Sequence, residues 1–367
     1  MATKKIVSSR TALHELMEKT INKNLRSMEE REEYAEYAVK TNIIESNCGL
    51  EEIPKNFLGY SIEIRSTVDK YLYVIIVKSN NKNFTLYLDT MNKRFWKIHN
   101  IEKSETVDAF LNQFSNQLHK IDTLWMPHQM IGNLEKDYIN VGFSIKYKQE
   151  VMEEEDLSDE EVSQLSMRLW SKGSGPSKGI IQLLEANGYP TTKTSTRLLN
   201  ICNGEIKFLD EAYYDGKITV IKGTDIQEHI HFVNNVILAY SDIMNRIERY
   251  RISFMSSANE FEIKGAPFEL LFSKDQDIEK LAEKLTDSTK PFRTWGIIHD
   301  FEKDFLRIAG VDTHTGDKFD MDLMPEYARI YLPKNACGNL IFRLYTNIQH
   351  SLDSKVRIFD ESGTTIF

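Results

Sequence analysis

No apolar run in the chain approaches the roughly 18 residues that a membrane-spanning helix needs. Met1-Ala2-Thr3-Lys4-Lys5 leads into a polar helical stretch without the apolar core of a secretion signal, so no membrane association and a cytoplasmic location are expected. Cysteine is scarce. Cys48, Cys202 and Cys337 are odd in number and far apart, which points away from a disulfide framework and from a zinc ribbon. A basic surplus is missing too: 46 Lys and Arg stand against 55 Asp and Glu, a net charge of −9. The surface as a whole is therefore no nucleic-acid footprint, and only a local basic groove is compatible with that balance. The Gly-rich segment Lys172 to Gly179 lacks the glycine order and the terminal Gly-Lys-Ser/Thr of a phosphate loop, and reads as a linker.

What is present is the composition of a folded protein, 41% hydrophobic and 28% charged, in a chain of 367 residues. That length exceeds what one core usually serves, so several modules are expected. The pattern predicts an α+β (mixed α/β) fold: a helical N-terminal arm followed by repeated antiparallel-sheet-plus-helix units. In residues 1–56, Leu13, Leu16, Met17 and Ile21 recur at helical spacing, and Ser27-Met28-Glu29-Glu30 starts a second helix with an acidic first turn. Residues 57–149 switch to period two. Strands at Tyr60–Ile64, Tyr71–Val77, Phe84–Leu88 and Phe95–Ile98 precede a helix from Glu105 to Ile121, a meander closed by a helix.

Residues 150–200 read as an acidic helical connector. Glu150 to Glu161 holds eight acids and no base, with Ser158 placed to cap a helix from Leu157 to Trp170. Beyond it, Ile181, Leu183 and Leu184, the turn Asn187-Gly188-Tyr189-Pro190 and the stretch Thr191 to Leu199 suggest two tightly joined helices. Residues 201–258 form a second α/β unit, with strands around the turn Asp215-Gly216, a helix from Glu228 to Glu248 and the start of a hairpin. Residues 259–367 form a third, with strands at Phe292–Ile298, Phe305–Val311 and Lys318–Leu323 and a last helix from Asn339 to Leu352.

Three helical segments repeat one pattern, beginning at Phe114, Tyr240 and Tyr345: aromatic, hydroxyl, Asn or Asp, two free positions, His or Asn, one free position, Ile or Leu, acid. Duplication would place the three helices equivalently against their sheets, whereas a shared buried stripe would need only the aromatic and aliphatic positions. Asn116, His119 and Asp122, and likewise Asn347, His350 and Asp353, are three apart and would lie along one side of a helix, where a carboxylate could orient an imidazole. The middle copy has Asn245 in place of the histidine, which favours packing over chemistry.

Glu262 and Lys264 fall on one face of a short strand, the carboxylate–ammonium pairing with which PD-(D/E)xK nucleases hold a divalent metal and assist water. Mg2+ is implied only under that alternative, and no other cofactor or resident metal is expected. The pair is weak because Glu205-Ile206-Lys207 repeats it and the preceding strand offers no acid. His229-Ile230-His231 has no third metal ligand at metal-site spacing. Lys193, Thr194, Thr196 and Arg197 would face a DNA groove if the two helices after Lys178 formed a helix-turn-helix. Cys337 stands near a helix start, where amide dipoles favour a thiolate, but no base stands beside it in sequence. With no coherent acid/base, nucleotide or metal constellation, the sequence favours a non-catalytic interaction or scaffolding protein that binds a protein partner or itself. A nucleic-acid-processing factor, either a metal-dependent nuclease or a DNA-binding component, is the alternative.

Overall fold

The computed structural model describes residues 7–31, 37–79, 82–151, 163–256 and 261–367. In chain order its elements are α1 (Arg10–Arg31), β1 (Lys40–Ser46), β2 (Asn56–Phe57), β3 (Tyr60–Ser66), β4 (Leu72–Lys78), β5 (Asn83–Asp89), β6 (Phe95–Asn100), α2 (Ser104–Gln117), β7 (Ile121–Thr123), α3 (His128–Leu134), β8 (Ile139–Lys148) and β9 (Gln164–Trp170). There follow α4 (Ser174–Ala186), β10 (Lys193–Cys202), β11 (Glu205–Tyr213), β12 (Lys217–Gly223), α5 (Ile226–Arg249), β13 (Ser253–Ser256), β14 (Phe261–Lys264), β15 (Phe268–Leu271), α6 (Ile278–Thr286), β16 (Thr294–Glu302), β17 (Phe305–Asp312), β18 (Lys318–Leu323), β19 (Tyr327–Tyr331), α7 (Asn339–Ser351) and β20 (Arg357–Phe359). The fold is α+β with antiparallel sheets. The five expected segments regroup into two compact units: residues 1–124, 135–141 and 196–237, and residues 125–134, 142–195 and 238–367.

In the first unit the sheet runs β2-β3-β4-β5-β6-β1-β12-β11, with β10 beyond β11 and β7 also pairing with β1. The expected meander is there, and α2 closes one face of it. Ile44, Trp96 and Ile98 from the sheet meet Val107, Phe110 and Phe114 from the helix. The opposite face carries α1, whose Leu13, Met17 and Ile21 pack with Val39, Val74, Tyr87, Val220 and Ile226. Ser9 starts α1 by accepting the Ala12 amide at 3.2 Å. The tight turn before β12 needs glycine: Gly216 has φ +83°, and a Cβ there would stand 2.8 Å from the Ile43 carbonyl oxygen.

In the second unit a six-stranded sheet is ordered β16-β17-β18-β19-β15-β20, with α6 and α7 as its helices. Asp277 caps α6 by accepting the Lys280 amide at 3.1 Å. Residues Gly142–Lys148 of β8 pair with β9, and β13 with β14 makes a separate two-stranded hairpin. Among the described residues no helix is long and apolar enough to cross a membrane.

Four expectations are corrected. The second helix at Ser27 does not start anew, because nothing between Lys19 and Ser27 breaks a helix and α1 continues through it to Arg31. The helical arm does not fill residues 1–56: α1 spans Arg10–Arg31, and β1 within that range is a strand with every residue but Asn42 buried. The helix placed at Leu157 to Trp170 is β9 from Gln164 onward. Residues 152–162, with Ser158 and most of the acidic run, lie outside the described residues, as do Asn80, Asn81 and residues 257–260. The second helix of the helix-turn-helix is β10 from Lys193 onward, where Thr194 and Thr196, following Thr191 and Thr192, favour an extended chain.

Candidate functional site

The structure does not gather the residues nominated from sequence. Helix α2 ends at Gln117, because Leu118 turns extended (φ −90°, ψ 106°), so Asn116, His119 and Asp122 do not share a helix. Asn116 donates to the Asn112 carbonyl at 2.6 Å, His119 is exposed, and buried Asp122 sits in β7 accepting the Thr123 amide at 2.8 Å. In the other trio Asn347 donates to the Pro291 carbonyl at 3.0 Å, and His350 Nδ1 donates to the Lys146 carbonyl at 2.9 Å. Asp353 lies beyond the end of α7 and accepts the Ser273 amide at 2.6 Å and hydroxyl at 2.8 Å. In the second trio each group bonds a partner outside the trio. Phe114, Tyr240 and Tyr345 are all buried, as are Ile121, Ile247 and Leu352. The shared pattern thus marks buried positions, although Ile121 is on a strand and Leu352 is a helix cap.

The four groove-reading candidates lie on β10 and alternate between its faces. Thr194 donates to the Ser144 carbonyl at 3.3 Å, and Thr196 donates to Glu135 at 2.8 Å. Arg197 donates twice to Glu211 Oε2, at 3.2 and 3.1 Å, and Lys193 is 6% exposed. They form no common helical surface. Cys337 is buried, its amide donates to Asp317 at 2.9 Å, and its sulfur accepts the Asn339 amide at 3.4 Å. Glu262 and Lys264 do lie side by side on β14, 3.7 Å apart and both exposed. Among the described residues no three His, Cys, Asp or Glu side chains group as metal ligands.

Polar residues do converge in the first unit, on both faces of β1. Antiparallel register sets Thr41 opposite His99 on β6, and α5 brings His229 above them. Thr41 Oγ1 lies 2.9 Å from His99 Nδ1 and 3.0 Å from His229 Nε2, and His229 Nδ1 lies 2.6 Å from Asp210 Oδ2. Burial holds the His99 imidazole down to about 3, so it is neutral at physiological pH. One consistent proton arrangement follows: His99 Nδ1–H donates to Thr41, the Thr41 hydroxyl donates to His229 Nε2, and His229 Nδ1–H donates to Asp210. This is the order of groups that activates a hydroxyl nucleophile. Yet Thr41, His229 and Asp210 are 0% exposed and His99 1%, so the hydroxyl meets no substrate.

Beside it, Arg10 from α1 clamps the carboxylate of Asp89 at 2.6 and 3.1 Å, and Lys97 reaches the same carboxylate at 3.0 Å. Burial pushes the Asp89 carboxyl up, but the Arg10 hydrogen bonds and the Lys97 charge outweigh it and hold the group well below the usual carboxylate range. Asp69 accepts the Arg10 Nε–H at 3.0 Å. The assembly ties α1 to the sheet.

The other face of β1 carries Lys40 beside Asn100 and Thr219, and Asn42 beside Lys217. Lys217 bonds Asp108 of α2, and Lys40 donates to the Glu102 carbonyl. Burial lowers the Lys40 ammonium to about 8. Asn42 Oδ1, both amide atoms of Asn100, Asp108 Oδ1 and Thr219 Oγ1 are buried without a hydrogen-bond partner from the protein. In the second unit, Arg343 of α7 pairs with Asp312 out of solvent, and Asp312 also accepts the amides of His314 at 2.7 Å and Thr315 at 3.1 Å.

None of these residues was nominated except His229, as half of a metal pair. The signal that could have found them is strand register: Thr41, His99 and Asp210 are far apart in sequence and meet only once β6, β1, β12 and β11 are aligned.

The chain is 28% identical to a protein of Methanocaldococcus jannaschii described as uncharacterized protein MJECL33, over 95% of this chain and 93% of that protein. No solved structure gives a significant match. The family model described as MJECL33-like protein matches residues 1–366. The chain belongs to the MJECL33-like protein family.

Proposed function

We propose that the chain is a non-catalytic interaction protein, which binds a protein partner or another copy of itself through the β13–β14 arm. The observation that carries this is the cross-strand pair Phe254 and Ile263. They stand opposite each other on a hairpin that, among the described residues, pairs with no other strand, and they are 65% and 59% exposed. A two-stranded hairpin is marginal in water without a third strand or a covering surface, and adjoining exposed apolar side chains gain free energy when covered. Supporting it, the arrangement ordered to activate a hydroxyl, Thr41 with His229 and Asp210, is sealed from solvent.

The test compares the purified chain with a Phe254→Ser/Ile263→Ser variant in sedimentation velocity and in co-purification with partners from the native cells. Loss of an association in the variant, with an unchanged melting temperature, is the expected result. Identical association in both proteins would remove the arm as the docking element. Turnover of a nucleic acid or small substrate, such as Mg2+-dependent cleavage abolished by Glu262→Ala, would overturn the non-catalytic reading.

A further inference from the structure

We infer that the partner of the β13–β14 arm is a second copy of this chain, joined by antiparallel pairing of the two β14 strands about a twofold axis at Ile263. The inference rests on the interaction reading above and names its partner.

The open edge selects the geometry. The hairpin register sets Ser253 opposite Lys264, Phe254 opposite Ile263 and Met255 opposite Glu262, and the outer edge of β14 pairs with no other strand among the described residues. Side chains of residues directly opposite in an antiparallel pair lie on one face. Phe254 and Ile263 therefore share one face, and Glu262 and Lys264 take the other.

Only one register between two β14 strands satisfies both faces. Centred on Ile263, it sets Ile263 against Ile263 of the second copy and Glu262 against its Lys264, twice by symmetry. Moving the centre by half a residue puts Ile263 opposite Glu262 or opposite Lys264. Moving it by a whole residue puts Glu262 against Glu262 or Lys264 against Lys264. Like charges directly opposite are destabilising, and an apolar residue opposite a charge leaves both poorly matched.

The chosen register makes a four-stranded sheet. On one face Phe254, Ile263 and their two counterparts form a continuous apolar strip, and on the other two Glu–Lys pairs flank the axis. It also supplies what the isolated hairpin lacks, a third and fourth strand. The Glu262–Lys264 ion pair within one strand, at 3.7 Å and more than half exposed, contributes little by itself and leaves both side chains free to turn across the new edge.

The test is sedimentation equilibrium of the full chain and of Glu262→Lys, Lys264→Glu and the double exchange. Wild type is expected to dimerise. Each single exchange turns two attractive pairs into two repulsive ones and is expected to weaken the dimer about five- to twentyfold at low salt. The double exchange restores opposite charges and is expected to return the dissociation constant to within about twofold of wild type. At concentrations well below the dimer dissociation constant all four should melt alike, since both side chains are exposed. A dimer of wild-type strength in both single variants would overturn this interface while leaving self-association intact. A double variant as weak as the singles would overturn the register. A wild-type chain that stays monomeric at every concentration would overturn the second copy as partner, and the interaction reading would then rest on co-purification alone.

Discussion

His229 Nδ1 stands 2.6 Å from Asp210 Oδ2, and neither side chain has any exposed surface. Burial raises the Asp210 carboxyl, and the His229 contact opposes that rise. The pair fixes which imidazole nitrogen carries a proton, and through His229 Nε2 it fixes the Thr41 hydroxyl and the neutral His99 ring beyond it. Asp210 Oδ1 has no hydrogen-bond partner, so the carboxylate holds the chain through its Oδ2 contact with His229.

Asp210→Ala should therefore destabilise the fold. It removes the acceptor from a buried neutral imidazole that no solvent reaches, and an orphaned buried donor costs about 1–3 kcal/mol. Asp210→Asn keeps a hydrogen-bond acceptor and should cost less. Urea unfolding followed by tryptophan fluorescence measures both, and equal small losses would show that the carboxylate is not needed.

The same burial predicts an acid sensitivity. His99 is held at about 3, and His128 and His350 at about 4, chiefly by desolvation, against about 6.5 in an unfolded chain. Between these values the unfolded chain binds protons that the folded chain refuses, so stability is complete above about pH 6.5 and falls as the pH drops toward 4. The slope reaches about 1.4 kcal/mol per pH unit for each histidine. The urea midpoint should decline steadily from pH 6.5 downward, and a flat midpoint between pH 7 and 5 would contradict the burial of these rings. Asp89, held low by Arg10 and Lys97, adds its own loss only at still lower pH.

Gly216 offers a backbone test. Its φ of +83° suits glycine, and an added Cβ would meet the Ile43 carbonyl oxygen at 2.8 Å, where β1 leaves little freedom to shift. Gly216→Ala should destabilise by about 1–3 kcal/mol. Gly59, also at positive φ but with open space around it, should lose less on the same change, and thermal melts of the two variants compare them directly.

Much of the fold was legible because alternation and helical stripes survive without tertiary knowledge. The β3–β6 meander, α2, α5 and the β16–β18 strands with α7 follow from the spacing of residues such as Ile62, Val107, Phe232 and Leu340. Strand β1 was hidden because Lys40, Thr41, Asn42 and Glu45 read as surface, while their burial depends on partners as distant as His229, 188 positions away from Thr41. Strand β10 was misread because Lys193, Thr194, Thr196 and Arg197 resemble a polar helix face, although the density of β-branched threonine argued for extension. The polar clusters around β1 were illegible for the same reason, since no local spacing announces a row that crosses four strands.

The row on the α2 face of β1 carries the last prediction. Asn100 is 1% exposed, and neither end of its amide finds a protein partner, while Asn42 Oδ1, Asp108 Oδ1 and Thr219 Oγ1 are equally without one. Each such group costs about 1–3 kcal/mol when dry, and several together would rival the whole stability of a domain. Ordered water bridging Asn100 to Thr219 is therefore expected in a high-resolution crystal structure, because the row offers the two to four polar contacts that hold buried water. Stability distinguishes the cases. If water links the row, Asn100→Leu strands its neighbours and destabilises by about 1–3 kcal/mol. If the row is dry, the same substitution removes two unsatisfied atoms and stabilises, so a rise in the unfolding midpoint would refute the bridge.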